Sequence, residues 1–211
     1  PWYAYHKQIK GLILEEGVTA VGSFAFYDCG ALREVQFPKT LRMVGSSSFA
    51  YCDSLRLLDL SKVPETVTEK TLDLSGLAKL AATLDGLVKP SFVWKLETVP
   101  GQESAGTLAK LEGTKLEVLR TGTFRLVCRE ENTGLTGYGD LRVETTTVIT
   151  PETEQLTSGQ SLELKAVAMP FGTELAAKWT LADEYKAYAE VSEEGLLTAK
   201  AVTAPVQVTV K

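Results

Sequence analysis

The chain has 211 residues, of which 44% are hydrophobic and 23% charged, with a formal net charge of -5. This is the composition of a folded protein with room for one large module or two to three small ones. The negative charge, with lysines and arginines spread singly, excludes the clustered basic surface that nucleic-acid binding requires, and no apolar run approaches the roughly 18 to 20 residues that cross a bilayer.

The opening segment PWYAYHKQIK carries no secretory signature. From there the first third of the chain repeats itself with a spacing of 23 residues. Leu12 falls on Val35 and Leu58, and Leu14 on Phe37 and Leu60. Val18 falls on Leu41, Val21 on Val44, Gly22 on Gly45, Phe26 on Phe49, Cys29 on Cys52 and Leu32 on Leu55. Carried backwards, the register puts Tyr3 on Phe26 and Ile9 on Leu32. Matched positions are apolar, glycine or cysteine, and the positions between them vary. A stacked coil has this pattern, because each turn buries a constant inner set against its neighbours. The repeat predicts Leu12, Val35 and Leu58 superposed in adjacent strands, with Gly22 and Gly45 as turn residues of positive φ.

At these residues, GVTAVGSFAFYDCGALREVQFP followed by LRMVGSSSFAYCDSLRLLDL resembles the BspA-type leucine-rich repeats of bacterial surface proteins, and PWYAYHKQIKGLILEEGVT resembles the entry into such arrays. The resemblance covers residues 1–62. Ser48 departs from it, standing where the first repeat has Ala25, and so does Tyr51 before Cys52. Both mark the second repeat as a modified last turn.

The polar stretch SKVPETVTEK at 61–70 reads as a linker. Beyond it the period becomes two. Leu80, Ala82 and Leu84 alternate with Ala81 and Thr83, and Phe124, Leu126 and Cys128 with Arg125, Val127 and Arg129. Leu162, Leu164, Ala166 and Ala168 form another set, and Val206, Val208 and Val210 a last one. Short alternating runs between turn residues predict antiparallel strands. The strands fall into two similar sets in which Gly76 matches Gly159, Trp94 matches Trp179 and Gly113 matches Gly195, with an extra GLTGYGD turn in the first set. These sets, about 66–144 and 145–211, resemble tandem bacterial immunoglobulin-like domains of the Big-2 kind, in which Trp94 and Trp179 would be core pins. The fold class expected is therefore mainly β: a short leucine-rich-repeat coil followed by two immunoglobulin-like β-sandwiches.

Candidate chemistry is sparse. His6 is the only histidine and has no nucleophile or second ligand beside it in sequence. Cys29 and Cys52 would stack one strand apart with parallel side chains, which fits a disulfide poorly, and Cys128 falls inward with Leu126. With three cysteines there is no disulfide framework. GLTGYGD lacks the strand-to-helix setting of a dinucleotide loop, and GSSSFA is no nucleophile elbow. Asp183, Glu184, Glu190, Glu193 and Glu194 lack the ligand spacing of a calcium loop. Among the aromatics, Tyr3 shares the inner register. Trp2, Tyr5 and Tyr27 fall off it and are the candidate ligand contacts, although a cap over the first coil explains them equally well.

With no nucleophile–base pair, cofactor loop or ligand spacing among these residues, no enzyme, cofactor or metal is expected. The resemblance implies a protein of the cell surface or extracellular space, which adheres to a host or bacterial surface protein or glycan without inserting into the membrane. Two other readings stay open: a spacer whose ligand site lies in further repeats, and a glycan-binding module using the exposed aromatics.

Overall fold

The computed structural model describes residues 2–82, 84, 86–152, 155–201, 206–208 and 210. Thr83 of the expected run at 80–84, and Thr209 within the expected closing run of Val206, Val208 and Val210, lie outside them. The chain is mainly β and divides into two units, residues 1–144 and 145–211.

The 23-residue spacing becomes two parallel ladders. Strands β1 (Gly11–Ile13), β2 (Ala20–Val21), β3 (Glu34–Gln36) and β4 (Met43–Val44) pair as β1 with β3 and β2 with β4. Leu12 lies opposite Val35 and Val21 opposite Val44. The turns between strands stack as well. The N–H groups of Phe24, Phe26 and Asp28 donate to the carbonyls of Ser46, Ser48 and Ala50 at 3.0, 2.8 and 2.8 Å. Cys29, Leu32, Leu41, Phe49, Cys52 and Leu55 are buried between the coils.

Leu58 does not continue the ladder. It lies in β5 (Leu58–Asp59), which pairs antiparallel with Lys79–Leu80, so that Leu58 faces Leu80. The place of a third coil is taken from elsewhere in the chain. The N–H groups of Ser47 and Phe49, which would donate to a following coil, donate instead to the carbonyls of Asn132 and Thr133 at 2.6 and 3.0 Å. The stretch 61–70 is not a free linker either. Its β6 (Thr66–Val67) pairs with Arg142 and Val143, and Val67 is buried.

Two sheets follow. The strands are β7 (Thr71–Asp73), β8 (Lys79–Leu80), β9 (Phe92–Glu97), β10 (Ala109–Glu112), β11 (Lys115–Val118), β12 (Gly122–Glu130) and β13 (Thr136–Val143), with one helical turn, α1 (Ala105–Leu108). One sheet runs β6-β13-β12-β9 and the other β10-β11-β7. The period of two decides the packing: Phe124, Leu126, Cys128 and Glu130 of β12 are buried, with Trp94 opposite Cys128. The expected strand at 80–84 ends at Leu80. Ala82 and Leu84 lie in a turn, and Leu84 is buried from there. From Thr136 onwards GLTGYGD is strand, not turn. A Cβ at Gly137 would come within 3.1 Å of the Leu60 side chain, so glycine lets the repeat exit lie against β13.

The second unit contains β14 (Thr146–Thr150), β15 (Ser161–Glu163), β16 (Lys165–Met169), β17 (Thr173–Leu175), β18 (Ala189–Val191) and β19 (Leu196–Ala199). Its sheets are β14-β16-β17 and β15-β19-β18. The alternating run from Leu162 to Ala168 breaks at Leu164, and its halves join different sheets. Trp179, expected mid-strand as a core pin, lies outside any strand and is half-buried. A Cβ at Gly195 would meet its Nε1 at 2.7 Å, so the glycine turn packs under the indole. Val206 and Val208 lie outside any strand, and Val210 makes a single bridge to Leu181.

Candidate functional site

The two coils sort their aromatic side chains into an inner column and an outer ridge. The inner column is Trp2, Phe26 and Phe49, stacked at centroid distances of 5.3 and 5.6 Å, with Phe37 set edge-on to Phe49 at 6.0 Å. The register therefore corrects by one residue at its start. Tyr3, expected inside, is 59% exposed and stacks on His6 at 4.4 Å, while Trp2 takes the inner place. The cause is local: Trp2–Gln8 form a continuous 3-10 helix, whose side chains fall in a different phase from the turns of the later coils.

Those later turns are set by positive φ, but not at glycine. Phe24, Asp28, Ser47 and Tyr51 have φ of 58°, 60°, 53° and 60°. Phe24 matches Ser47 and Asp28 matches Tyr51 at the repeat spacing, so each coil makes the same two left-handed kinks. Gly22 and Gly45 have no such φ. Gly45 is needed because a Cβ there would lie 2.7 Å from the Gly22 carbonyl carbon and 2.9 Å from Ser23 Cα. Coil contact, not turn geometry, demands the glycine.

The outer ridge is Phe24, Tyr27 and Tyr51. Tyr27 sits between the other two rings at 5.8 and 5.1 Å and is half-buried, and burial beside Tyr51 pushes its phenol pKa up. Phe24 and Tyr51 are 60% and 56% exposed. Of the three residues the sequence singled out, Tyr5 is exposed, Tyr27 belongs to the ridge, and Trp2 is partly exposed but engaged with Phe26. Phe24 belongs to the aromatic set that the sequence offers as a contact face, and Tyr51 stands out there only as a departure before Cys52; neither is marked as a ridge member, since nothing local identifies a bulky residue that takes a left-handed conformation. At the start of the array His6 and Lys7 face Asp28 at 3.5 and 2.6 Å, and the hydrogen bond from Lys7 holds the Asp28 carboxyl below its ordinary pKa.

A cleft of about 540 Å³ opens where the repeat exit meets the four-stranded sheet. Tyr51, Asp53 and Arg56 stand on the repeat side, and Arg125, Arg129 and Tyr138 on the sheet side. Arg125 grips Asp140 with two hydrogen bonds, of 2.6 and 2.9 Å, and its guanidinium lies 4.0 Å above the Tyr138 ring. Among the described residues neither Arg56 nor Arg129 has an ion-pair partner.

The three cysteines are free and buried. Cys52 donates to the Phe26 carbonyl at 3.1 Å, and burial pushes the Cys52 and Cys128 thiols up to about 12, far from nucleophilic thiolates at neutral pH. Among the described residues no cluster of His, Cys, Asp and Glu is arranged to hold a metal, and no helix is long and apolar enough to cross a membrane. Of the acidic residues weighed for calcium, Asp183 pairs with Lys186, and Glu190, which lies in β18, pairs with Lys200.

Two solved structures similar to part of the chain are crystal structures of human protocadherin-24 EC1-2. One, form II, is 8% identical with a TM-score of 0.21, over 58% of this chain and 70% of that one. The other is 8% identical with a TM-score of 0.19, over 52% and 61%. Likeness at that level carries no argument about the fold. No curated protein matches the chain. The model of the BspA type leucine rich repeat region matches residues 2–82, in six copies, and so extends past the two ladders into β8. Residues 2–82, which hold the stacked coils, are therefore similar to the BspA type leucine rich repeat region.

Proposed function

We propose that the chain is a non-catalytic adhesion module of the bacterial cell surface. Its repeat coils make the contact, and the segments 66–144 and 145–211 act as immunoglobulin-like spacers of the Big-2 kind. The observation that carries this reading is the outer ridge. Two bulky aromatics, Phe24 and Tyr51, are held in left-handed backbone conformations and left open to solvent, while Tyr27 braces them from between. Such conformations cost about 1–3 kcal/mol each and cluster at functional sites, and exposed aromatics are common anchors of protein contacts. Tyr5 and the open part of Trp2 extend the aromatic surface of the repeat segment.

The test uses the whole chain against a panel of extracellular-matrix proteins beside a glycan array. Phe24→Ala with Tyr27→Ala is compared with Tyr185→Ala and Tyr188→Ala in 145–211. A binder that loses at least about tenfold in affinity only through the first pair supports the reading, that being the ordinary effect of removing interface anchors. Loss only through the second pair overturns it. If no binder is found, the spacer reading takes its place.

A further inference from the structure

We infer that the cleft between the repeat exit and the four-stranded sheet is a binding site for a sugar bearing a single carboxylate. The inference shares Tyr51 with the ridge but is carried by Arg56, Arg129 and Tyr138, which the ridge does not contain.

Size and shape come first. A concave space of about 540 Å³ is that of a small-ligand site, enough for one or two sugar rings. Charge follows. The chain carries a net charge of -5, yet two arginines line this one cleft, Arg56 from the repeat exit and Arg129 from β12, neither with an ion-pair partner among the described residues. Guanidinium forks match a carboxylate with paired hydrogen bonds. The third arginine does different work: held by both oxygens of Asp140, Arg125 lies on Tyr138 and fixes that ring in place. Tyr138 remains 55% exposed and Tyr51 56%, so both phenols offer surface for sugar C–H groups. The ring that Arg125 holds needs no ordering on binding.

The acidic members of the lining narrow the ligand class. Glu97 is tied to Lys95 at 3.1 Å, whereas Asp53 has no ion-pair partner among the described residues. A free carboxylate on the wall repels a dianion or a polyacidic peptide but accepts hydrogen bonds from hydroxyl groups. One negative group with several hydroxyls satisfies both the arginines and Asp53. An acidic sugar has that chemistry, and phosphate or an aspartate-rich peptide does not.

The test is calorimetric titration of the full chain with sialyllactose and with lactose, beside inorganic phosphate and a glutamate-rich peptide. Sialyllactose is expected to bind saturably and more weakly as salt is raised, with lactose at least about tenfold weaker, the ordinary worth of a charged hydrogen-bonded contact. Arg56→Gln with Arg129→Gln should remove that preference while the melting temperature holds, and Phe24→Ala, which leaves Tyr51 and its neighbour Tyr27 in place, should leave it intact. The assignment is overturned if lactose binds equally, if the arginine variant keeps its affinity, if phosphate or the peptide binds tighter than sialyllactose, or if no saturable binding is seen.

Discussion

Ser48 lies in the inner turn of the second coil, with no exposure and no hydrogen-bond partner for its hydroxyl. The matching residue of the first coil is Ala25. A buried hydroxyl left unpaired costs about 1–3 kcal/mol, so Ser48→Ala should raise stability by about 1 kcal/mol and shift the thermal midpoint upward. A fall in the midpoint would mean that the hydroxyl has a partner. The sequence displayed Ser48 as a departure from the repeat, and it displayed Phe26 and Phe49 as inner residues, because the spacing of 23 is a statement about which side chains stack. It did not display which residues kink. Both Gly22 and Gly45 look like turn glycines, yet the kinks sit at Phe24, Asp28, Ser47 and Tyr51, where the stacked coil overrides local preference. Tyr3 and Trp2 exchanged roles for a related reason: the first turn is a 3-10 helix without such kinks, so counting back by 23 lands one residue off.

At the scale of the element, the loop Glu130–Gly134 closes the repeat array. Its Asn132 and Thr133 carbonyls receive the donors of the second coil, and Gly134 is pressed against Ala50, with 2.9 Å from its would-be Cβ to Ala50 Cα. Glu130 shapes this loop. Its carboxylate is fully buried and accepts hydrogen bonds from Ser91 N, Asn132 N and Nδ2, and Thr133 N and Oγ1. Burial pushes its pKa up, but those donors outweigh burial and hold it below the ordinary glutamate value. A folded-state pKa below the unfolded one gives stability that is complete above the unfolded value, about 4.3, and is lost as pH falls through the folded value. Glu130→Gln turns an amide towards donors and should cost about 2–3 kcal/mol near neutral pH. In urea titrations the penalty of the variant should shrink as the pH drops below about 4.3. A penalty that stays constant into acid would show that the charge of Glu130 does not hold the loop. The alternation read in the sequence ends at Cys128; continuing it by two residues lands on Glu130, but a carboxylate is not what that pattern marks as inward. Nor was the loop's target on the repeat legible, because a contact between residues 47 and 132 leaves no periodic trace.

Across the whole molecule the two units differ in how much they bury. The first buries Phe49, Phe124 and a series of leucines. The buried apolar residues of the second, among those described, are Leu164, Ala166, Pro170, Leu181 and Ala189. With about 1.5–3 kcal/mol for a buried leucine and far less for an alanine, residues 145–211 should open first. Limited proteolysis of the intact chain is expected to leave a resistant fragment ending near residue 144, and first cuts inside 1–144 would contradict this. The glycine pairs Gly76 with Gly159 and Gly113 with Gly195 all take positive φ, so the turns of both sets could be read in advance. The unequal surroundings of Trp94 and Trp179 could not, since they depend on which strands close over each indole.

The loop that receives the donors of Ser47 and Phe49 also gives the repeat a direction of growth. Further coils can be added by duplicating a 23-residue unit within residues 10–34, where each new turn meets a like neighbour on both sides. After Cys52 the docking edge is already taken by a segment 80 residues further along the chain. Any lineage that lengthens this array while keeping the loop must therefore insert its new turns ahead of the last one, and the junction with the sheets stays the same in a short array or a long one.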